Sequence, residues 1–246
     1  MDADDIAHPE RLEQQILFLK QNLHVGAVAT QVVYYGNIKN NKGFKRYVDW
    51  NNSIVDYNNI LISRFIEMPV INPTLLWRRE VSEKFGIYQN GNFPEDYEMI
   101  LRWLHNKVVI SKLKSKLLVW NDTAKRLTRT DIRYSDDAFY KIKIKYLAYW
   151  LVKNNPFHPD VYVWGASRIS RKKIKYLEEN GINVACYIDI STKRQLDKKI
   201  IYFKNIPDKS KAFILVLMKN EKIRNEIVRF LDSKSYVQGE NYLLIS

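Results

Sequence analysis

The chain opens on a helical rhythm. In HPERLEQQILFLKQN, residues 8–22, Leu12, Ile16 and Leu19 recur at intervals that put them on one helix face, and Pro9 stands near the first turn. VGAVATQVVYYG, residues 25–36, is β-branched and aromatic, as a strand should be. The polar run NIKNNKG then predicts a turn or loop, and residues 53–67 predict a mixed helical stretch that ends before Pro69. NPTLLWRRE reads as a short strand and EVSEKFG as a brief helix stopped by Gly86. FPEDYEMILRWLHN is the clearest amphipathic helix, with Tyr97, Ile100, Leu101 and Leu104 as its apolar stripe. KVVIS and KLLVW predict two short paired strands. From Asp136 to Asn154 the pattern is helical and basic, and Asn154-Asn155-Pro156 marks a boundary.

After that boundary the grammar changes. VYVWGAS is a short apolar strand running into Gly165, RISRKKIKYLEENG a helix closed by Gly181, and INVACYID a second strand ending in an acid. KAFILVLM is a third strand and NEKIRNEIVRFLDSK another helix. Strands joined by helix-length crossovers imply a parallel sheet covered by helices. The predicted fold class is therefore α/β, in two domains, 1–135 and 157–246, joined by a basic helical linker, 136–156.

Charge sharpens this division. The net charge is +13, yet residues 1–106 carry 11 Lys and Arg against 13 Asp and Glu, while residues 107–246 carry 29 against 14. A basic half of this size suits an anionic surface, a bilayer leaflet included, or stands as a solvated face. Nucleic-acid binding is not expected, because no nucleic-acid motif accompanies the charge. The single cysteine, Cys186, excludes an intrachain disulfide and reads as a small core residue. No apolar run approaches the ~18 residues of a membrane span, and no signal-type segment opens the chain. The predicted location is cytoplasmic, with peripheral contact at the inner membrane face.

Two acidic clusters carry the candidate chemistry. Asp2, Asp4 and Asp5 crowd three carboxylates into four residues, and Glu95-Asp96 stand just before a helix. Either cluster serves as a helix cap, since the helix dipole favours acids there. Either also suits chemistry: Asp-x-Asp offers hard oxygen ligands for Mg²⁺ or Mn²⁺, and a carboxylate at Glu95 or Asp96 is a candidate general base.

The blocks MDADDIAHPERLEQQILFL, INPTLLWRREVSEKFGIYQ and FPEDYEMILRWL, in this order, resemble the inverting glycosyltransferases of family 2, with the GT-A fold. The resemblance covers about residues 1–135. It implies transfer of a sugar from a nucleotide-sugar donor to a glycan or lipid-linked acceptor, as in bacterial surface polysaccharide synthesis. By the resemblance, Asp2 lies nearer the nucleotide, Asp4 holds the divalent ion, Asp96 is the base and Glu95 orients it or touches the acceptor. Arg126 and Arg129, in LVWNDTAKRLTRTD, match a loop that closes over the donor phosphates, where Asn121-Asp122 stand near a frequent histidine ligand. Asn72 replaces the frequent histidine before Pro73. Relatives carry several βα units before the Asp-x-Asp, so the resemblance also implies a front domain that is truncated, incomplete as a catalyst and apolar at its surface around residues 25–36.

The second domain resembles small Rossmann-like modules. Gly165-Ala166-Ser167 supplies one glycine where a dinucleotide fingerprint needs three. Asp189, at the second strand's end, holds a ribose diol or caps a turn. An alternative to catalysis is thus a non-catalytic nucleotide- or partner-binding module built on this domain.

Overall fold

The computed structural model describes residues 3–39, 41–123, 127–193 and 196–246. Two compact units divide the chain: Met1–Arg64 with Met68–Phe139, and Phe65–Glu67 with Tyr140–Ser246. Both are α/β.

The first unit is built on a mixed sheet in the order β1-β4-β2-β3. Its elements are β1 (Ile6–Ala7), α1 (Arg11–Gln21), β2 (Ala27–Tyr35), α2 (Lys42–Ser53), α3 (Tyr57–Ser63), β3 (Leu76–Trp77), α4 (Arg79–Phe85), α5 (Glu95–His105), β4 (Ile110–Asn121) and α6 (Leu127–Thr130). Strand β2 runs parallel to β4, while β1 and β3 pair antiparallel with β4 and β2 respectively. The two short strands expected at KVVIS and KLLVW are one strand. β4 sets twelve residues against nine of β2, and the register shifts around Thr30–Val32 absorb the excess. Lys114, Ser115 and Lys116, exposed at this irregularity, gave the sequence its apparent break.

Helix α5 follows its apolar pattern: Tyr97, Ile100, Leu101 and Leu104 are buried, together with Met99 and Trp103. Helix α1 does not. Its buried side chains are Arg11, Gln15 and Leu19, whereas Leu12 is 52% and Ile16 45% exposed. Polar anchoring decides the face. Gln15 Nε2 donates to the carbonyls of Val28 and Thr74, both at 2.8 Å, and Arg11 Nη1 donates to Pro73 O at 2.7 Å. These bonds give buried donors to carbonyls of β2 and of the 3-10 turn Asn72–Thr74 that precedes β3. The expectation of apolar exposure around residues 25–36 holds in part. Ala27, Val28, Ala29 and Val32 are buried inside the sheet, Val33 and Tyr35 at its far end are exposed, and α1 carries further exposed apolar residues. Helix α2, missed at residues 44–52, buries Val48 and Asn51 and packs Phe44 and Tyr47 against Val32, Leu118 and Trp120.

The second unit holds a parallel sheet in the order β7-β6-β5-β8-β9. Its strands are β5 (Asp160–Trp164), β6 (Asn183–Asp189), β7 (Ile200–Tyr202), β8 (Ile214–Leu217) and β9 (Tyr242–Ile245), with α8 (Arg168–Glu179) and α9 (Glu221–Ser233) as crossovers. In chain order the strands lie 3-2-1-4-5, so the winding reverses between β5 and β8. Cys186 is buried in β6. Helix α7 (Asp136–Asn154) corrects the expected linker. The unit boundary falls inside it, and Tyr140, Ile144, Leu147 and Leu151 form a buried stripe at spacings of three and four. The segment Phe65–Glu67 joins this unit through backbone. Ile66 O accepts from Lys143 Nζ at 3.0 Å and Ser246 Oγ at 2.5 Å, and Ser246 N donates to Phe65 O at 3.3 Å. Among the described residues no helix is long and apolar enough to cross a membrane.

Gly165 ends β5 at φ +119°, and a Cβ there would stand 2.8 Å from Leu217 O of β8. Gly165→Ala is expected to destabilise the second unit by about 2–3 kcal/mol, from the strained φ and the backbone clash together. Denaturant unfolding followed by a probe in that unit checks this; an unchanged midpoint would contradict it.

Candidate functional site

Strand pairing brings the first acidic cluster to the end of β4. Because β1 runs antiparallel to β4, the turn before β1 reaches the last residues of β4. Asp5, buried, accepts from Asn121 N at 2.9 Å, and the Asn121 amide group donates to Asp4 O. The Asp4 carboxylate itself is exposed, with Oδ2 3.5 Å from Thr123 Oγ1. Asp2 and Arg126 lie outside the described residues.

Asp122, one residue on, is the electrostatic centre of this end. Its side chain is fully buried. Oδ2 accepts from Tyr34 Oη at 2.7 Å and Asn41 Nδ2 at 2.8 Å, and Oδ1 accepts from Arg129 Nη2 at 2.7 Å. A buried carboxylate needs such partners to offset its desolvation. Burial and the bond to Asp122 push the Tyr34 hydroxyl up to about 12. Gly36 makes room for the arrangement, since a Cβ there would come within 2.7 Å of Tyr34 Oη and 2.9 Å of Asp122 Cβ. Arg129, expected to meet donor phosphates, is held by Asp122 and by the Thr123 carbonyl, and lies over the Phe44 ring at 4.8 Å. Phe44 in turn packs on Trp120, which also meets Tyr34 and Tyr47.

The second cluster opens α5. Glu95 Oε1 accepts from Tyr134 Oη at 2.5 Å, and Oε2 lies 4.0 Å from Arg133 Nη1. Asp96, half-buried, accepts from Tyr97 N at 2.7 Å. Three acids, Glu95, Asp96 and Glu98, fall in the first turn, where the helix dipole favours them. Glu98 faces inward and pairs with Arg102 at 2.9 Å. Burial first, then the bond to Glu95 and the charge of Asp96, raise the Tyr134 hydroxyl far above its ordinary range.

The segment from α6 through the 3-10 turn Ile132–Tyr134 forms a strap between the clusters. Arg129 fastens it at Asp122, beside Asn121 and the Asp4–Asp5 turn, and Arg133 and Tyr134 fasten it at Glu95. Asp4, Glu95, Asp96 and Arg129 are thus linked by one run of contacts. Tyr34, Asn41, Phe44, Thr123 and Tyr134 were not singled out from sequence. Their signal is positional: Tyr34 pairs with Trp120 and Tyr35 with Asn121 in the β2–β4 register, at the strand ends where the acids stand.

The Asp4 carboxylate and Thr123 hydroxyl are hard oxygen donors, which suit Mg²⁺ or Mn²⁺ in kind. Among the described residues no three His, Cys, Asp or Glu side chains converge on one point, so such an ion would depend on the ligand for much of its coordination. In the second unit, Asp189 turns back on its own loop. Oδ2 accepts from Ala166 N at 3.1 Å and Oδ1 from Ile190 N at 2.7 Å. It therefore braces the Gly165 loop at the switch point. A scan against family models and a search of curated proteins found no match to the chain.

Proposed function

We propose that the first unit acts as an inverting glycosyltransferase of the family 2 type, on a nucleotide-sugar donor and a glycan or lipid-linked acceptor. The observation that carries this reading is the strap, which ties the Asp4–Asp5 turn at β4 to the Glu95–Asp96 start of α5. A metal-and-diphosphate site and a general base need that kind of linkage to act on one sugar.

In this reading Asp96 takes the proton from an acceptor hydroxyl, whose oxygen bonds to the anomeric carbon as the bond to the nucleoside diphosphate breaks, with inversion. Glu95, held by Tyr134, fixes the start of α5 beside the acceptor. Asp4 and Thr123 would hold the divalent ion, and Asp2 would lie towards the nucleotide. Mg²⁺ or Mn²⁺, when bound, supplies Lewis-acid stabilisation of the leaving diphosphate. Arg129 keeps the strap seated, and the phosphates then compete with Asp122 for its guanidinium.

Calorimetric titration with uridine diphosphate, with and without Mn²⁺, tests the site. The expected result is a metal-dependent signal lost on Asp4→Ala. Metal-independent binding that survives Asp4→Ala would overturn it.

A second reading rests on the reversal of winding between β5 and β8, where ligands of doubly wound sheets bind. It makes the second unit a nucleotide-binding module, and predicts a metal-independent signal lost on Asp189→Ala.

A further inference from the structure

From Ala138 to Asn154 the chain has no acidic residue. Within that run α7 exposes Lys141, Lys145, Tyr149 and Val152, at i, i+4, i+8 and i+11, which a helix sets along one stripe. Tyr149 is 46% and Val152 59% exposed. The opposite face, with Tyr140, Ile144, Leu147 and Leu151, is buried in the second unit, so the stripe is presented in a fixed orientation.

Helix α8 extends this surface. Lys141 Nζ stands 5.3 Å from the Tyr176 ring centre, and Lys173 Nζ 4.4 Å from that of Tyr140. On the Tyr176 side of α8, Lys172 and Ile169 are exposed, Ile169 to 73%. Of the two acids that end α8, Glu178 pairs with Lys198 at 2.5 Å, while Glu179 is exposed on the Tyr176 side and offsets one of the lysines.

We propose that the α7–α8 surface is a docking face for an anionic lipid bilayer. Lysines alone would attract any polyanion. The apolar members of the same surface, Tyr149, Val152 and Ile169, decide between them, because they gain only where hydrocarbon lies beneath the charged layer. A lipid leaflet offers anionic headgroups above acyl chains, and a tyrosine beside lysines suits that boundary. A nucleic acid duplex offers phosphate without hydrocarbon. The face uses none of Asp4, Glu95 or Asp96, so it stands apart from the transferase reading.

Co-sedimentation of the full chain with vesicles tests the face, using phosphatidylcholine alone or mixed with phosphatidylglycerol. Binding is expected to the mixed vesicles and not to phosphatidylcholine. At roughly fivefold per lysine near the surface, Lys141→Gln with Lys145→Gln is expected to weaken binding about 25-fold. Tyr149→Ser with Val152→Ser is expected to keep binding at low salt and lose it at physiological salt. All four side chains are exposed, and circular dichroism confirms that each pair folds; Lys172→Gln provides a separate variant on α8. Equal binding to both vesicle types, unchanged binding by the variants, or tighter binding to duplex DNA than to the mixed vesicles would each overturn the proposal.

Discussion

If the proposed transferase reading holds, Asp96→Asn is expected to lower the rate of glycosyl transfer by about 10²–10⁴-fold, the usual contribution of a positioned general base. The measurement is kcat for transfer by the variant against that of the unsubstituted protein, with donor and acceptor both saturating. The substitution is chosen to isolate the proton acceptor. Asparagine has the same shape, and its carbonyl oxygen still accepts from Tyr97 N, the bond that Asp96 makes at 2.7 Å. The lost charge removes one of three acids in the first turn of α5, worth about 0.3–1 kcal/mol of helix stability. A large fall in rate with a small fall in melting temperature therefore assigns chemistry to Asp96. Full transfer by the variant would leave Asp96 as a helix-capping acid. Glu95→Gln makes the useful contrast, since its amide oxygen still accepts from Tyr134 and little change in stability is expected.

Lys112→Met should cost about 2–4 kcal/mol of stability near pH 8, and the cost should depend on pH. Lys112 is buried in β4, where Nζ donates to Asn51 O at 2.5 Å, Asn51 Oδ1 at 2.6 Å and Pro69 O at 3.1 Å. Methionine fills similar volume but leaves those oxygens without their donor, at about 1–3 kcal/mol for a buried unsatisfied group. Burial pushes the Lys112 ammonium down from 10.5 to about 7. Between those values the unfolded chain binds the proton and the folded one does not, so native stability rises with pH across that window. Below about pH 7 both states are protonated, and the full cost of burying the charge is present. The disadvantage of the methionine variant should accordingly widen by about 2 kcal/mol between pH 7 and 9. Tyrosines with raised values begin to oppose this only near pH 10, where the unfolded chain loses phenolic protons that the folded chain keeps. Urea midpoints at several pH values read the difference directly. A gap that stays constant between pH 7 and 9 would mean that Lys112 stays charged in the folded protein.

Periodicity revealed most of the fold where one face of an element meets one apolar surface. Helix α5 and strands β5, β6 and β8 are of this kind, and each lies where its pattern puts it. It misled where polar groups settle the packing. Helix α1 turns Gln15 and Arg11 inward to bond carbonyls of β2 and of the 3-10 turn before β3, a demand that hydrophobic spacing does not record. It also failed at β4, where Lys114–Lys116 carry the register shift and look like a turn. Short β7 and β9 went unseen because three or four apolar residues give no period to count. The acidic clusters were visible as residue types. What joins them was not, because Asp122, Arg129 and Tyr134 act through pairings between strand ends and a strap.

The joint that Ser246 makes with Phe65 and Ile66 has a consequence for how the chain is made. Ile66 leaves the ribosome 180 residues before Ser246, the residue that closes on it. The second unit therefore cannot close as a purely local event. Its last contact spans 180 residues of sequence, the kind of distant pairing that slows folding. A fragment beginning at Tyr140 would lack that early segment, and Lys143 Nζ would lose one of its carbonyl acceptors. Each unit is contiguous in structure, yet the second is discontinuous in sequence.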